Sequence, residues 1–249
     1  MRIAMLSDIH GNLHALEAVL ADLASQPTPD QIWVLGDLCV LGAHPAECLA
    51  RIRALPNVRV LLGNTDRKLF TGTRFPPHRA KDESDLKDML RWLIARDQTY
   101  HWTLTQLSFA DYEFLANLPP EFDLHIPGYG WLLAFHGAPG HDEANLRPET
   151  PDEEVLDHFL DREARFGVGG HTHLPMDRDL GNWHIVNVGS VGLPKDDWRP
   201  CYAIATFGAG KASITFRRVE YDVEAAAKAV EESGNPAWQW ALETLIRKP

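Results

Sequence analysis

The chain begins with the stretch RIAMLSDIHGN, residues 2–12, and this stretch decides the fold. Its first residues are apolar and predict a buried β-strand. Asp8 and His10 follow two residues apart, and side chains at positions i and i+2 of an extended chain lie on the same side. A carboxylate oxygen and an imidazole nitrogen directed at one point form half of a metal site. Other parts of the chain must complete such a site.

Two further strand-like runs, residues 31–35 and 58–62, alternate with helical patterns that begin after Asn12 and at His44-Pro45. The order strand, helix, strand, helix, strand predicts parallel βαβ units. The second strand ends in Gly36-Asp37 and the third in Gly63-Asn64-Thr65-Asp66. Because ligands bind at the carboxyl ends of strands in open α/β sheets, we expect these polar residues to share a site with Asp8 and His10.

Residues 67–122 contain no convincing strand pattern. Apolar residues between Leu86 and Leu93 predict one amphipathic helix, and Ser108, three residues before Asp111, predicts a capped second helix. We expect a helical insertion, about 67–122, over the end of the sheet that carries the polar clusters. Its aromatic side chains are expected to pack inside it, with a substrate contact by one of them as the alternative. They are Trp92, Trp102, Phe109 and Tyr112.

Strand patterns return at residues 131–135, 164–168 and 183–188, with a helix predicted at 152–160. Residues 202–207 and 212–219 predict an antiparallel pair that turns at 208–210, and two helices close the chain. Polar residues again follow the strands. They are His136, His171, His173 and Ser190.

The composition limits the classes of function. An apolar content of 45% in 249 residues is typical of a globular protein, and a formal net charge of −11 argues against a nucleic-acid polymer as ligand. No segment has the run of about 18 apolar residues that predicts a membrane span, and no signal peptide is expected. Three widely spaced cysteines predict reduced thiols and a cytoplasmic location. Exposed tryptophans could form a homo-oligomer interface, so the oligomeric state stays open.

Seven side chains at the predicted strand ends can bind a metal, and histidine together with carboxylate favours divalent transition ions. Seven ligands exceed what one accessible ion needs. They suit two ions about 3.5–4 Å apart that share a bridging carboxylate. The seven are Asp8, His10, Asp37, Asn64, His136, His171 and His173.

In order and spacing these residues resemble the calcineurin-like metallophosphoesterases, and residues 7–12 and 187–192 resemble the small bacterial and archaeal phosphodiesterase branch of that family. The family pattern is D-x-H, G-D, G-N-x-D/E, H and G-H-x-H, and all five blocks occur here between residues 8 and 173. The resemblance implies one domain over residues 1–249 with an α/β fold, a four-layer α/β/β/α sandwich with two central mixed sheets. The ligands that it implies for a first ion are Asp8, His10 and His173, with Asn64, His136 and His171 for a second and Asp37 as the bridge.

The resemblance also implies hydrolysis of a phosphate ester by a hydroxide that bridges two divalent ions, without a side-chain nucleophile. Mn²⁺ is the expected metal, with Fe, Zn, Ni, Co and Mg as alternatives. The candidates for catalysis are Asp37, Asn64 and Asp66. Asp66 is expected to hold Asn64 or a metal-bound histidine.

Three residues are candidates for substrate contact. Asn12 lies where a helix N-terminus favours anions, although it can also cap that helix. Arg67 could meet the charge of the substrate or be solvated. Ser190 lies in a glycine-rich segment that could present N–H groups to a phosphate or form a plain turn.

One position departs from the family pattern. Many members have a histidine after the asparagine of G-N, where this chain has Thr65, and threonine donates no proton at neutral pH. We therefore expect a small phosphodiester with a good leaving group, aryl or cyclic, as substrate. The alternatives are a phosphomonoesterase, a protein or dinucleotide phosphatase, a nuclease, and a non-catalytic scaffold like the retromer subunit of this fold, which lacks part of the ligand set.

Overall fold

The computed structural model describes residues 1–74 and 76–246, and ten strands and eight helices lie in this part of the chain. The strands are β1 (Arg2–Leu6), β2 (Gln31–Val34), β3 (Val58–Val60), β4 (Phe122–Ile126), β5 (Gly130–Ala134), β6 (Phe166–Gly169), β7 (Met176–Asp179), β8 (His184–Asn187), β9 (Cys201–Gly208) and β10 (Lys211–Arg218). The helices are α1 (Leu13–Ala24), α2 (Pro45–Arg53), α3 (Asn64–Thr71), α4 (Glu83–Gln106), α5 (Phe109–Ala116), α6 (Asp152–Asp157), α7 (Val223–Glu232) and α8 (Trp238–Leu245). No helix of the described residues is both long and apolar enough to span a membrane.

The strands form two five-stranded mixed sheets. The first has the order β10-β9-β1-β2-β3, with β1, β2 and β3 parallel and β9 antiparallel to both of its neighbours. The second has the order β4-β5-β6-β8-β7, with β5, β6 and β8 parallel and an antiparallel strand at each edge. The predicted α/β class with two central mixed sheets is confirmed.

Strand β1 is buried on both faces because it lies inside a layered structure. Ile3 and Met5 belong to the apolar core between the two sheets. Ala4 and Leu6 belong to a second core, in which residues of α1, α2, α7 and α8 cover the outer face of the first sheet. A third core on the outer face of the second sheet contains Val155 of α6. Helices therefore flank both sheets, which gives the expected four layers.

Several local signals in the sequence are confirmed. Asn12 caps α1 through a hydrogen bond from the Ala15 N–H, and Pro45 occupies the first turn of α2. Ser108 and Asp111 form a capping box at the start of α5. Strands β9 and β10 pair as a hairpin in which Gly208 lies opposite Lys211.

The structure has two strands that the patterns do not predict, and one helix that is shorter than predicted. Strands β4 and β7 were not expected; β7 reads MDRD, and as an edge strand it buries only Met176, so it carries no apolar alternation. Helix α6 ends at Asp157, earlier than the predicted 152–160.

Residues 67–121 hold α4, α5 and most of α3, and their described part contains no strand. Phe109 does not pack inside this segment, because it is 73% exposed.

Candidate metal centre

The polar residues predicted at strand ends meet at one edge of the sandwich. Asp8 and His10 follow β1, Asp37 follows β2, and Asn64 begins α3 after β3. From the second sheet, His136 follows β5, and His171 and His173 follow β6. The two sheets thus contribute ligand atoms from opposite sides of one cleft.

The first group of ligand atoms belongs to Asp8, His10, Asp37 and His173, which are all buried. One ligand atom from each lies within 4.8 Å of all the others. His173 Nε2 is 3.1 Å from Asp8 Oδ1 and 3.3 Å from His10 Nε2. Four ligand atoms this close together could hold one metal ion.

The second group is centred on Asn64. Its Oδ1 lies 3.0 Å from His136 Nε2 and 3.0 Å from His171 Nδ1. Asp37 joins the two groups, because its Oδ1 is 3.5 Å from His136 Nε2 and its Oδ2 is 3.7 Å from His10 Nε2. A carboxylate that offers one oxygen to each of two groups has the arrangement of a bridging ligand.

Backbone carbonyls decide which nitrogen of three histidines carries the proton. His10 Nδ1 is 3.1 Å from the Val40 carbonyl, His173 Nδ1 is 2.8 Å from that of Leu193, and His136 Nδ1 is 2.7 Å from that of Leu35. A carbonyl oxygen only accepts, so each Nδ1 donates. The Nε2 atoms of His10 and His173 are therefore left with a lone pair, and the Nε2 atoms of all three histidines are directed into the cluster.

The cluster is therefore rich in acceptors, and this arrangement fits a cation. The lone pairs of His10 and His173 face each other, and the buried Oδ1 of Asp8 has no hydrogen-bond partner among the described residues. Burying carboxylates and lone pairs together without a cation is costly. The donor set of imidazole nitrogen, carboxylate and amide oxygen suits a divalent transition ion.

The pKa values of the histidines agree with this interpretation. Burial lowers the pKa of His10 and of His171 to about 4, so both are neutral ligands at pH 7. Burial acts in the same direction on His136, but the carboxylates of Asp37 and Asp8 override it and raise its pKa to about 10. Without a metal, a proton on His136 thus balances the carboxylates, and a divalent ion would take its place.

The backbone at the cluster is strained. Five of the seven residues have φ in the left-handed region: Asp8 (54°), His10 (51°), Asp37 (55°), His171 (67°) and His173 (61°). Each such residue costs on the order of 1 kcal/mol, and such strain concentrates at functional sites. Backbone hydrogen bonds hold the loops in place, including one from the Asp8 N–H to the Gly36 carbonyl at 3.0 Å.

Two glycines allow the loops to approach the carboxylates. A Cβ on Gly63 would lie 2.2 Å from Asp37 Oδ1, and a Cβ on Gly170 would lie 2.4 Å from Asp8 Oδ2. Neither distance is compatible with a side chain. The glycine of the G-N block and that of the G-H-x-H block are therefore required by packing against the ligands themselves.

Asp66 has a different position from the one expected. Its carboxylate accepts hydrogen bonds from the Leu38 N–H at 3.0 Å and the Gly63 N–H at 3.4 Å, and it does not hold Asn64 or a histidine of the cluster by a hydrogen bond. Burial, together with the charge of Asp37, raises its pKa to about 7. Asp66 therefore supports the loop that carries Asp37, and its role in catalysis stays a prediction.

The three residues predicted to contact substrate each have polar partners within the protein. Asn12 caps α1 with its Oδ1 and donates from Nδ2 to the Gly192 carbonyl at 3.2 Å. Ser190 donates to the Asp8 carbonyl at 2.8 Å, and Arg67 forms ion pairs with Asp142 and Glu143. These polar groups are already engaged, and none of the three residues lines the cavity above the cluster.

The cavity above the cluster has a volume of about 240 Å³, and its outer wall was missed by sequence reasoning. Helix α4 contributes Trp92, Arg96 and Tyr100, and α8 contributes Trp240 and Thr244. Helix α4 of this segment therefore lies over the site. The signal for this in the sequence is the aromatic content of α4, which includes Trp92.

Comparison with known proteins agrees with the geometry. The family model of the calcineurin-like phosphoesterase superfamily domain matches residues 1–210. The chain belongs to this superfamily. It is a calcineurin-like metallophosphoesterase, and the buried Asp/His cluster is a group that could bind a divalent metal.

Among solved structures, the phosphoesterase is similar to a metallophosphoesterase from Sphaerobacter thermophilus, with a TM-score of 0.73, 29% identity and coverage of 98% of both chains. It is 28% identical to an uncharacterized protein of Methanocaldococcus jannaschii over 95% of this chain and 94% of that protein. A symmetrical bis(5'-nucleosyl)-tetraphosphatase of Erwinia tasmaniensis is 34% identical over 37% of each chain. The match to that enzyme thus spans little more than a third of its length.

Proposed function

We propose that this metallophosphoesterase is a binuclear phosphodiesterase that acts on a small phosphodiester. The observation that carries the proposal is the position of Asp37, whose two oxygens face two separate groups of ligand atoms. The first ion would be held by Asp8, His10 and His173, the second by Asn64, His136 and His171, and Asp37 would be shared. When bound, such ions act as Lewis acids and lower the pKa of a bound water from about 16 to about 7.

Thr65 supports the proposed preference for an ester with a good leaving group. Thr65 lines the cavity where many relatives have a histidine, and its hydroxyl cannot protonate a leaving group. Its backbone N–H donates to Asp37 Oδ1 at 2.8 Å, which fixes the orientation of the shared carboxylate. The leaving oxygen must therefore depart as an anion, and this favours aryl or cyclic esters.

The test compares bis(4-nitrophenyl) phosphate with 4-nitrophenyl phosphate in buffer that contains Mn²⁺. We expect the diester to be hydrolysed faster, and hydrolysis to stop when a chelator is added and to resume with excess Mn²⁺. A clear preference for the monoester would contradict the proposal, as would turnover that a chelator leaves unchanged. A symmetrical dinucleoside tetraphosphate belongs in the same comparison, because some relatives carry the name tetraphosphatase.

A further inference from the structure

Arg96 of α4 lies in the wall of the cavity that faces the metal cluster. It lines this cavity together with Asp37, Asn64 and Thr65. The carbon of its guanidinium is 4.8 Å from the centre of the Trp92 ring and 5.8 Å from that of Tyr100. Contact with two aromatic rings restrains the planar guanidinium at the wall of this cavity.

Arg96 keeps its positive charge in the cavity wall. Burial lowers the pKa of its guanidinium, and Tyr100, Asp37 and Glu143 offset part of this effect. Guanidinium groups stay protonated at neutral pH even when partly buried. The cavity thus has a permanent cation opposite an acceptor-rich cluster, and guanidinium suits recognition of two phosphate oxygens at once.

Thr65 supplies a second polar group in the same cavity. The residue is only 8% exposed, and its Oγ1 is buried without a hydrogen-bond partner among the described residues. A buried hydroxyl without a partner costs free energy, and such groups are rare outside functional sites. A ligand oxygen in the cavity would give the hydroxyl a partner.

We propose that Arg96 and Thr65 form the phosphoryl-binding site of this enzyme. This inference rests on the proposed function for its substrate. The guanidinium and the hydroxyl donate hydrogen bonds to phosphoryl oxygens that do not take part in bond cleavage. Because neither group gives up a proton, their loss weakens binding of every phosphoryl ligand by a similar factor, whatever its leaving group.

The experiment measures the affinity of the Mn²⁺-loaded protein for inorganic phosphate by calorimetry. The variants are Arg96→Gln, Arg96→Lys and Thr65→Val. The matched control is Arg91→Gln, which removes an arginine from the same helix. The side chain of Arg91 is 71% exposed, and its Nη2 atom lies 3.9 Å from Glu243 Oε1. Manganese content and melting temperature are measured for each variant.

We expect Arg96→Gln to weaken phosphate binding by about tenfold or more, because charge-assisted hydrogen bonds are lost. Arg96→Lys should be intermediate and Thr65→Val should show a smaller loss, while Arg91→Gln and the manganese content stay unchanged. In turnover assays of the Arg96→Gln variant, kcat/KM should fall by similar factors for aryl diesters with different leaving groups. The inference is wrong if Arg96→Gln and Arg96→Lys both bind phosphate like the wild type, or if Arg91→Gln loses as much.

The two proposals fail separately. If the wild type binds phosphate through Arg96 but hydrolyses no phosphodiester, the proposed function is wrong and the phosphoryl site stands. If it hydrolyses diesters while the Arg96 variants retain full phosphate affinity, only the phosphoryl site is wrong. A Mn²⁺-loaded wild type that binds no phosphate also overturns the phosphoryl site.

Discussion

Asp37 is the residue on which the candidate metal centre depends most. It is buried, and its oxygens face histidines on both sides. We expect Asp37→Asn to lower kcat/KM by more than about 100-fold. Mutation of a residue that only hydrogen-bonds a metal ligand already lowers metal affinity or activity by about 10–100-fold. Asp88→Asn, at an exposed position of α4, is the matched control. Turnover near the wild-type rate in Asp37→Asn would contradict a shared carboxylate.

Asp66 should affect stability through the loop that it holds. Removal of its carboxylate in Asp66→Ala leaves the buried N–H groups of Leu38 and Gly63 without their acceptor. We expect the free energy of unfolding to fall by about 1–3 kcal/mol, measured by urea denaturation. Asp66→Asn keeps one acceptor oxygen and should lose less. Equal stability of Asp66→Ala and the wild type would show that these hydrogen bonds contribute nothing.

Thr65 should determine the dependence on the leaving group. Thr65→His restores a group that can donate a proton at neutral pH, and general acid catalysis is worth about 10²–10⁴-fold. We expect the variant to gain most on alkyl diesters, so that the ratio of aryl to alkyl turnover falls by about tenfold or more. The measurement is kcat/KM for a series of diesters. An unchanged ratio in a folded, metal-loaded variant would contradict the role given to the missing histidine.

At the residue scale, a sequence shows which residues cluster more readily than it shows which residues contact substrate. Asp8 and His10 were accessible to prediction because both follow a buried strand directly, although left-handed backbone at both residues, not an extended chain, sets their direction. Asn12 and Ser190 were not, because each can either contact a ligand or hold its own loop, and only the three-dimensional partners decide between these roles. Arg67 meets Asp142, 75 residues away, a contact that no local pattern encodes.

At the scale of elements, Asp22 joins α1 to the antiparallel strands. Its carboxylate accepts hydrogen bonds from Tyr202 of β9 at 2.7 Å and from Arg217 of β10 at 2.6 and 2.7 Å. The Arg217 hydrogen bond lowers the pKa of Asp22 against a smaller effect of burial. The network fixes one helix on the edge of the first sheet, so its loss should be visible in stability.

We expect Asp22→Asn to lower the free energy of unfolding by about 1–2 kcal/mol at pH 7, because the ion pair is partly exposed to solvent. A carboxyl whose pKa is lowered by folding stabilises the folded state above its unfolded pKa of about 3.9, and this contribution is lost as the pH falls through the folded pKa. The difference between wild type and variant should therefore shrink between pH 5 and pH 3 in urea denaturation. A difference that is constant with pH would contradict this linkage.

The outer wall of the cavity shows why elements distant in sequence resist prediction. Trp92 and Arg96 come from α4 and Trp240 from α8, and the two helices are in contact. Each helix taken alone shows an amphipathic pattern, and aromatic residues on such helices usually form core. Their function as a wall arises only when the C-terminal helix packs against the inserted one.

At the scale of the whole molecule, the central parallel strands were predictable because they are buried on both faces and read as apolar runs. The edge strands β4 and β7 were harder. They form by pairing with β5 and β8, and the local sequence pattern of each edge strand does not show this pairing. In addition, β7 carries a single buried residue. The four-layer arrangement came from the family resemblance of the motif set, since strand patterns do not specify how two sheets stack.

Metal binding should stabilise the whole molecule, because a cation relieves the repulsion among buried acceptors. A ligand at 100 times its dissociation constant adds about 2.7 kcal/mol, which for a chain of this size raises the melting temperature by about 5 °C or more. We expect chelator-treated protein to melt lower than the Mn²⁺-loaded protein by this amount, and Asp37→Asn to show a smaller shift. Equal melting temperatures with chelator and with Mn²⁺ would contradict a metal centre at this position.

Anomalous diffraction from crystals grown with Mn²⁺ tests the central claim most directly. Data collected at the manganese edge should show two peaks about 3.5–4 Å apart, one beside Asp8, His10 and His173 and one beside Asn64, His136 and His171, with Asp37 between them. A map with no anomalous peak in this cleft at saturating Mn²⁺, or with a single peak and the second group of ligands bound only to one another, would contradict it.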